Sequence, residues 1–379
     1  MNFCVRPIQN TFDFKRFERV PNVVYRDDPN WVPDVPGAIK GQLGPESKFL
    51  QYGRFQAFLA QTDNGELLGR IVASVNSRLC AKEGKQIGSF GYFETIHDHD
   101  VSDALFDAAT TWLIEQGCVL GRGPIDLSTH IGGLTLIDGF DEPAYIRMPY
   151  NPSYYPSLIE SAGWHGVRDA FAFDFAMEPL APAFERAYRL ALRAGITFRA
   201  VHTKGEAMRS DLRAIHGIFA TSFEDNWSAT ERDVSEFVDE AEQMRHIIDP
   251  RLFPVAEYNG KVVGFWLGLP DINRALHASR GWPTPLVFAH LLWKRRRLDT
   301  ARVLAVAILP EFQKPRYALG PALVYLGMDG GASGGHPYQR AELSWVWENN
   351  ARSLGLIRGA AGRHYKTYRM FERTLDGRT

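Results

Sequence analysis

Side chains that can move protons recur in two strings near the C-terminal end of this sequence, AELSWVWENNARS and HYKTYRMFER. The first contains Glu342, Glu348 and Asn350, and the second contains Tyr365 and Tyr368. A carboxylate can accept a proton, and a phenol can donate one to a leaving group or stabilise an oxyanion. We therefore predict a catalytic site with Glu348 as base or anchor, Asn350 and the two tyrosines beside it, and Glu342 as the alternative carboxylate. The competing interpretation is that Glu348 and Asn350 only cap the following helix.

The elements that must position these residues follow an order that occurs twice. In each half, the hydrophobic pattern predicts a hairpin, a strand, an amphipathic helix, a strand, a short helix and a last strand. The two hairpins turn at Asn-Gly pairs that end at Gly65 and Gly260, and a Pro-rich segment, 177–184, separates the halves. We expect an α/β (α+β) protein of two tandem domains, 1–178 and 179–379, each a mixed, mostly antiparallel sheet flanked by helices.

Composition argues against several classes of protein. With 45% hydrophobic residues and a formal net charge of −1, the chain can bury a core and has no overall field to hold nucleic acid. Cys4, Cys80 and Cys118 have no paired spacing, which argues against a disulfide framework and against a structural zinc site. No stretch approaches the roughly 18 to 20 apolar residues that span a bilayer. We expect a soluble or peripheral cytoplasmic protein without a metal.

The order of elements resembles that of the GNAT acyltransferases, whose loop Gln/Arg-x-x-Gly-x-Gly/Ala binds the pyrophosphate of acyl-CoA at a helix N-terminus. The string PEFQKPRYALGPAL lies at that place, where Gln313 and Ala318 match and Arg316 replaces the first glycine. A helix N-terminus offers backbone N–H groups and a favourable dipole to phosphate, and a cation can add to both. The resemblance therefore implies a donor site formed by Ile308, Gln313, Lys314, Arg316, Tyr317, Ala318 and Gly320. The alternative is a solvated basic helix start.

The equivalent string of the first half, GYFETIHDHDVSDAL, has the opposite charge. Asp98, Asp100 and Asp103 would repel a pyrophosphate at the helix start. We therefore predict that only the second domain binds the acyl donor.

Five longer strings resemble a narrower group, the YghO-like proteins, which include bacterial ceramide synthases. They are GPIDLSTHIGGLTLIDGFDEP, YNPSYYPSLIESAGW, GFWLGLPDIN, AELSWVWENNARS and HYKTYRMFER. This resemblance implies N-acylation of a sphingoid base, 3-oxo-sphinganine or sphinganine, with a long-chain acyl thioester of CoA or acyl carrier protein as co-substrate and no prosthetic group. In such a reaction the amine must be unprotonated, and the thiolate must leave with a proton.

Residues for the acceptor are expected on three segments. Asp225, Asn226 and Trp227 lie where GNAT enzymes frame the acceptor, and Asp271 lies at the acceptor end of the sheet, in LPDIN. Either carboxylate could hold an ammonium group. We predict substrate binding by these four residues and by Trp345.

An insertion, 272–300, separates two strands that the fold normally joins briefly. Within it, 286–298 combines apolar residues with the cations Lys294 to Arg297. This pattern suits an interfacial helix with peripheral membrane contact, or a lid whose basic end meets an acidic carrier protein. The alternative is a buried helix with a solvated basic end.

Two other functions stay open on the sequence alone. One is an N-acetyl- or N-acyltransferase for a small amine or amino acid, which would need a short polar acceptor pocket instead of a long apolar channel. The other is a non-catalytic acyl-CoA- or lipid-binding protein, because one donor loop is lost and the other is altered.

Overall fold

A computed structural model describes residues 2–223, 226–294, 297–333 and 336–375. The chain forms two compact units. The first contains the residues up to Ala170, Ser228–Thr230 and the C-terminal residues from Lys366, and the second contains Phe171–Trp227 and Glu231–Tyr365.

The first half of the chain supplies seven strands and five helices among the described residues. The strands are β1 (Phe3–Pro7), β2 (Gly53–Thr62), β3 (Leu67–Asn76), β4 (Ile87–Thr95), β5 (Leu120–Gly123), β6 (Thr135–Asp138) and β7 (His165–Ala176). The helices are α1 (Thr11–Val24), α2 (Ala38–Leu43), α3 (Ser77–Glu83), α4 (His99–Glu115) and α5 (Tyr155–Ser161).

The described part of the second half supplies six strands and seven helices. The strands are β8 (Ile196–Ala200), β9 (Pro254–Tyr258), β10 (Lys261–Pro270), β11 (Thr300–Ile308), β12 (Arg340–Trp347) and β13 (Arg363–Thr374). The helices are α6 (Pro182–Arg193), α7 (Gly205–Phe223), α8 (Val234–Gln243), α9 (Asn273–Ala278), α10 (Thr284–Lys294), α11 (Leu319–Ala332) and α12 (Ala351–Gly359).

Both units have the same strand order. In the first, β1 to β4 are antiparallel neighbours and β5 pairs with β4 in parallel. In the second, β8 to β11 are antiparallel neighbours and β12 pairs with β11 in parallel. The repeat predicted from the hydrophobic pattern is therefore present, and both sheets are mixed and mostly antiparallel.

Each sheet is buried on both faces, because successive side chains on a strand point to opposite sides. On β3, Ile71 lies in the core that α4 covers, and Val72 lies in the core that contains Phe17 of α1. On β10, Trp266 packs in the core of α6 and α11, and Phe265 packs in the core of α7. Helices therefore flank both sheets, as the sequence predicts.

The last strand of each half crosses from one unit to the other. β13 begins in the second unit, and from Lys366 it belongs to the first, where it pairs with β5 and β6. β7 begins in the first unit, and from Phe171 it belongs to the second, next to β12 in the strand order. A single boundary after residue 178 therefore does not describe these units. The predicted insertion 272–300 contains α9 and α10.

Candidate functional site

A fully buried carboxylate lies at the centre of a hydrogen-bonded network in the second unit. Glu342, on β12, has 0% of its surface exposed. It accepts one hydrogen bond from the Tyr365 hydroxyl and another from the Ser344 hydroxyl. Because both donors are neutral O–H groups, the network satisfies the ionised form of the carboxylate. The structure therefore brings together two of the predicted catalytic residues, Glu342 and Tyr365.

A buried arginine that the sequence analysis did not select completes this network. Arg302 is the cross-strand partner of Glu342 in the parallel β11–β12 register. Its Nε lies 3.8 Å from Glu342 Oε1 and donates to Ser344 Oγ at 3.0 Å, while Nη2 donates to the Ser344 carbonyl at 3.1 Å. The side chain of Arg302 is only 6% exposed. A buried guanidinium thus holds Ser344 and stabilises the negative charge of Glu342.

The two tyrosines predicted to act together lie in different units. Tyr365 belongs to the second unit, is partly exposed, and donates a hydrogen bond from its hydroxyl to Glu342. Tyr368 belongs to the first unit, where it is fully buried and pairs in register with Leu136 of β6. The structure therefore groups Tyr365, and not Tyr368, with the buried carboxylate.

Glu348 and Asn350 lie just beyond the end of β12. Asn350 is the N-cap of α12, and its side chain accepts a hydrogen bond from the Ser353 backbone N–H at 3.1 Å. This is the capping role that the sequence analysis gave as the alternative. Glu348 is exposed, so its carboxylate can meet a substrate from solvent. A role for either residue in catalysis stays a prediction.

Three tryptophans form an aromatic cluster in the second unit. The ring of Trp347 lies 4.6 Å from that of Trp345 and 5.5 Å from that of Trp227, edge-on in both cases. Trp347 is buried and links Trp345 and Trp227, two predicted substrate-binding residues that are far apart in sequence. Trp345 is partly exposed on the same strand as Glu342. An apolar wall therefore lies along β12.

The remaining predicted acceptor residues have separate positions. Asp271 is buried at the end of β10, where its N–H donates to the Thr300 carbonyl and its carboxylate accepts from the Asn273 N–H. Asn226 lies beside Trp227, and Asp225 lies outside the described residues. The described part of the chain contains no group of three or more His, Cys, Asp or Glu side chains placed to hold a metal ion.

The parallel pairing of β11 with β12 covers only part of both strands. It joins Thr300–Val303 to Arg340–Leu343, and beyond it β11 continues to Ile308 while pairing with β10 on its other side. The sequence from 304 to 308 therefore has backbone groups on its β12 side that this ladder does not use. An extended ligand could pair with such an edge.

The end of β11 contacts the predicted donor loop. Gln313 donates from its side-chain amide to the Ile308 carbonyl at 2.8 Å, and it accepts a hydrogen bond from the Arg352 guanidinium. A Cβ added at Gly320 would lie 3.6 Å from the Ile308 side chain. Gln313, Gly320 and Ile308 thus lie together at the end of this strand edge.

The loop leads into α11 with a basic N-terminus. Lys314 and Arg316 are exposed, and Arg316 stacks on the Tyr317 ring, 4.7 Å from its centroid, while donating to the Tyr317 hydroxyl at 2.8 Å. Ala318 has a φ of 47° and precedes the helix, which begins at Leu319. The first N–H groups of α11 have no partner within the helix, so the loop offers both cations and N–H donors to an anion.

In the first unit, the corresponding helix start and strand edge form hydrogen bonds with other residues of the chain. Asp98 caps α4, accepting a hydrogen bond from the Val101 N–H. After β5 the chain turns back onto the edge of β4, where Ile125 N–H donates to the Phe90 carbonyl and Tyr92 N–H donates to Asp126, both at 2.7 Å. The helix start carries a negative charge, and part of the strand edge is already paired.

A second carboxylate with little exposure, Glu94, which the sequence analysis missed, lies in the first unit; its side chain is 15% exposed. Tyr25 and Tyr155 each donate a hydrogen bond to Glu94 Oε2 at 2.7 Å, and Arg70 lies 3.9 Å from Oε1. Burial raises the pKa of Glu94 to about 7, and burial likewise raises the pKa of the nearby Asp126 to about 6. These residues come from separate segments of the chain, so no local motif marks them.

With this geometry established, comparison with known proteins shows two relatives of nearly equal length. The sequence is 29% identical to the protein YghO of Escherichia coli strain K12, over 98% of this chain and 95% of that protein. It is also 29% identical to the bacterial ceramide synthase of Caulobacter vibrioides, over 99% of this chain and 98% of that protein. The predicted resemblance to the YghO-like proteins is confirmed. No protein-family model matches the sequence.

Solved structures decide the fold. This chain superposes over its full length on a tandem GNAT protein from the clavulanic acid biosynthesis pathway, with a TM-score of 0.60, 11% identity and all of that chain covered. The chain has the tandem GNAT fold. A second match, to a GCN5-related N-acetyltransferase from Sphaerobacter thermophilus, has a TM-score of 0.51 and 15% identity over 100% of this chain and 97% of that one. The tandem GNAT fold and the two relatives together support the predicted acyltransferase.

Proposed function

We propose that this chain is an N-acyltransferase that moves a long-chain acyl group from a thioester to the amine of a sphingoid base. The observation that carries the proposal is the hydrogen bond from partly exposed Tyr365 to fully buried Glu342. In this proposal Tyr365 is the proton donor, and Glu342 holds its hydroxyl in place. The similarity to a bacterial ceramide synthase supports the choice of acceptor.

The donor thioester is proposed to bind the second unit only. Its phosphates would meet the N-terminus of α11 with Lys314 and Arg316, and its extended arm would pair with the strand edge from 304 to 308. The first unit offers no equivalent, because Asp98 caps α4 and Asp126 pairs with the edge of β4. Acyl-CoA and acyl carrier protein share the thioester and the phosphate that this geometry suits.

The reaction balances with side chains of the second unit. The free amine attacks the thioester carbonyl, a C–N bond forms, and the tetrahedral intermediate collapses as the C–S bond breaks. Tyr365 would protonate the leaving thiolate, and Glu342, which no substrate can touch while it is fully buried, would position the Tyr365 hydroxyl. Exposed Glu348 is proposed to accept the proton that the amine loses, and exchange with solvent would then deprotonate Glu348 and return a proton to the Tyr365 phenolate.

The acceptor is proposed to lie along the aromatic cluster of Trp227, Trp345 and Trp347. An apolar wall suits a long hydrocarbon chain better than a small polar amine. A 3-oxo group next to the carbon that bears the amine withdraws electrons and lowers the pKa of its ammonium form, so less of it must be deprotonated. We therefore propose 3-oxo-sphinganine as the better acceptor and sphinganine as the weaker one.

The state of the cysteines supports a proposal about the compartment. Cys4, Cys80 and Cys118 are all free thiols in the structure, and free thiols persist in a reducing compartment. We propose that the chain works in the cytoplasm. No helix in the described ranges is both long and apolar enough to cross a membrane.

Mass spectrometry of reaction products tests the proposal. The protein is offered 3-oxo-sphinganine, sphinganine or a mixture of amino acids, each with acetyl-CoA, palmitoyl-CoA or palmitoyl acyl carrier protein. We expect an N-acylated long-chain base from a palmitoyl donor, formed faster from the 3-oxo acceptor. If only amino acids are acylated, the acceptor is a small amine and not a sphingoid base. If no product forms with any donor, the chain is a non-catalytic binding protein.

A further inference from the structure

One helix of the second unit is apolar and yet covered by little of the protein. Among the residues of α10, only Val287 is buried. Leu286, Leu292 and Trp293 are each more than half exposed, at 55%, 58% and 55%, and Phe288 is 43% exposed. The alternative of a buried helix with a solvated end therefore does not hold for α10.

The exposed side of α10 is apolar, whereas the exposed side of an ordinary surface helix is polar. At about 100° per residue, Leu286, Phe288, Ala289, Leu292 and Trp293 fall within about 160° of its circumference. All five are exposed and apolar, whereas a helix on the surface of a soluble protein directs polar residues outward. We call these five residues the apolar face. It is contiguous, and such a face marks a surface that contacts another apolar phase.

Cations border the apolar face at the C-terminal end of the helix. The sequence there reads Lys294, Arg295, Arg296, Arg297, of which Arg295 and Arg296 lie outside the described residues. The Arg297 guanidinium lies 4.6 Å from the centroid of the Trp293 ring and Lys294 Nζ lies 5.3 Å from it. Tryptophan with cations beside it is the combination found at the boundary between lipid headgroups and acyl chains.

We propose that the apolar face of α10 docks on a bilayer that contains anionic lipid. The helix has 11 residues, about 16 Å of length, so it lies in the interface and does not cross it. The inference stands on exposure and charge, and it goes beyond the proposed reaction by naming the surface on which the reaction takes place. Apolar contact and cationic attraction together supply the two signals that stable peripheral binding needs.

A bilayer fits these observations better than a protein does. The cations would attract an acidic carrier protein, but binding of such a protein does not explain why five apolar residues are exposed on one face. A second copy of this chain would bring the same cations to the interface, where like charges repel. Of these three occupants, only an anionic lipid surface can contact the apolar face and also attract the cations at the end of α10.

Flotation of the full-length protein with vesicles tests the proposal. The probes are phosphatidylcholine vesicles with and without phosphatidylglycerol, at low and high salt. We expect the wild type to float with the anionic vesicles, and the variant Phe288→Ser/Trp293→Ser to lose binding by roughly tenfold to a hundredfold. Lys294→Gln/Arg297→Gln should weaken binding by about fivefold per cation and reduce its salt dependence.

A matched control comes from α6, where Leu190 and Leu192 are 43% and 44% exposed. Leu190→Ser/Leu192→Ser removes two exposed apolar side chains elsewhere on the second unit and should float like the wild type. The proposal is overturned if the Phe288→Ser/Trp293→Ser variant floats like the wild type, or if neither vesicle binds the protein. Light scattering and titration with acyl carrier protein then show whether a second copy or the carrier occupies the face. Because no substrate is present, these results do not depend on which amine is acylated.

Discussion

The hydroxyl of Tyr365 donates a hydrogen bond to the buried carboxylate of Glu342, 23 residues earlier in the chain. Glu342 also accepts a hydrogen bond from the Ser344 hydroxyl and lies next to the Arg302 guanidinium, so three side chains fix the position of its carboxylate. A carboxylate held in this way fixes the orientation of the phenol of Tyr365, a residue that is partly exposed. Substitution of Tyr365 can therefore test whether its hydroxyl transfers a proton.

Tyr365→Phe removes the proposed proton donor and preserves the shape of the ring. We expect kcat to fall by about a hundredfold or more, with little change in the KM of the acyl donor. A thiophenyl ester, whose thiolate leaves without protonation, should restore much of the rate. Tyr368→Phe, in the first unit, is the comparison and should keep its kcat. An equal loss with both thioesters, or a larger loss in Tyr368→Phe, would contradict the assignment.

Glu342→Gln removes the carboxylate that faces the buried guanidinium of Arg302 across the β11–β12 pair. We expect the free energy of unfolding to fall by about 3 kcal/mol, measured by urea denaturation, and turnover to fall as well. Replacing both partners, in Arg302→Leu/Glu342→Leu, should recover part of the stability but none of the activity, because the Tyr365 hydroxyl still lacks the carboxylate that positions it. Recovery of both together would show that Glu342 contributes to stability alone.

Glu348→Gln tests the exposed carboxylate as the base. We expect slower turnover near neutral pH and partial recovery at high pH, where solution supplies the free amine. The control is Asn350→Ala, which removes the cap of α12 and should cost about 1 kcal/mol of unfolding free energy without changing the pH–rate profile. If the Glu348→Gln profile matches the wild type, the base is Asp271 or another group.

Arg316→Glu reverses the charge at the start of α11. We expect the KM of the acyl donor to rise by about tenfold or more, because a carboxylate beside the helix N-terminus repels phosphate. Asp98→Asn removes a negative charge at the start of α4 and should leave the donor KM unchanged, because the donor is proposed to bind the second unit only. A lower donor KM in Asp98→Asn would show that the first unit also binds the donor.

Glu94→Gln should change how stability depends on pH. The folded pKa of about 7 lies above the ordinary value of 4.5, because Glu94 is buried. Between these values the folded state holds a proton that the unfolded state releases, so the free energy of unfolding falls as pH rises through this window. Removing the carboxyl group should flatten that fall.

The stability gain of Glu94→Gln should therefore be larger at pH 8 than at pH 5, by roughly 2 to 3 kcal/mol. Urea denaturation at four pH values between 5 and 8 measures it. Glu46→Gln, at an exposed carboxylate of the first unit, is the control and should leave the curve unchanged. Parallel curves for wild type and Glu94→Gln would show that the folded pKa of Glu94 is ordinary.

Local features of the fold were predictable because local chemistry decides them. The Asn-Gly pair of the second hairpin needs two positive φ angles, and Asn259 and Gly260 have values of 49° and 73°. Gly117, a residue type that commonly ends helices, has a φ of 78° just beyond α4. Asn350 caps α12, which the residue type alone suggests.

Relationships between distant segments were not predictable from the sequence. Arg302 meets Glu342 through the register of two parallel strands, and register depends on the whole sheet. Tyr365 and Tyr368 are three residues apart on one strand, yet they belong to different units. Trp347 joins Trp345 to Trp227 across more than 100 residues of chain, so no motif contains all three.

The crossing of β13 also sets the order in which the newly made chain can fold. The first unit needs Phe371, fully buried in its core, and the pairing of β13 with β5. At the usual pace of synthesis, roughly 10 to 50 s separate the appearance of β5 from that of β13. During this time the N-terminal unit exposes an open strand edge and an unfilled core, which are the surfaces that chaperones protect. The part of the protein that the ribosome makes first is therefore completed last.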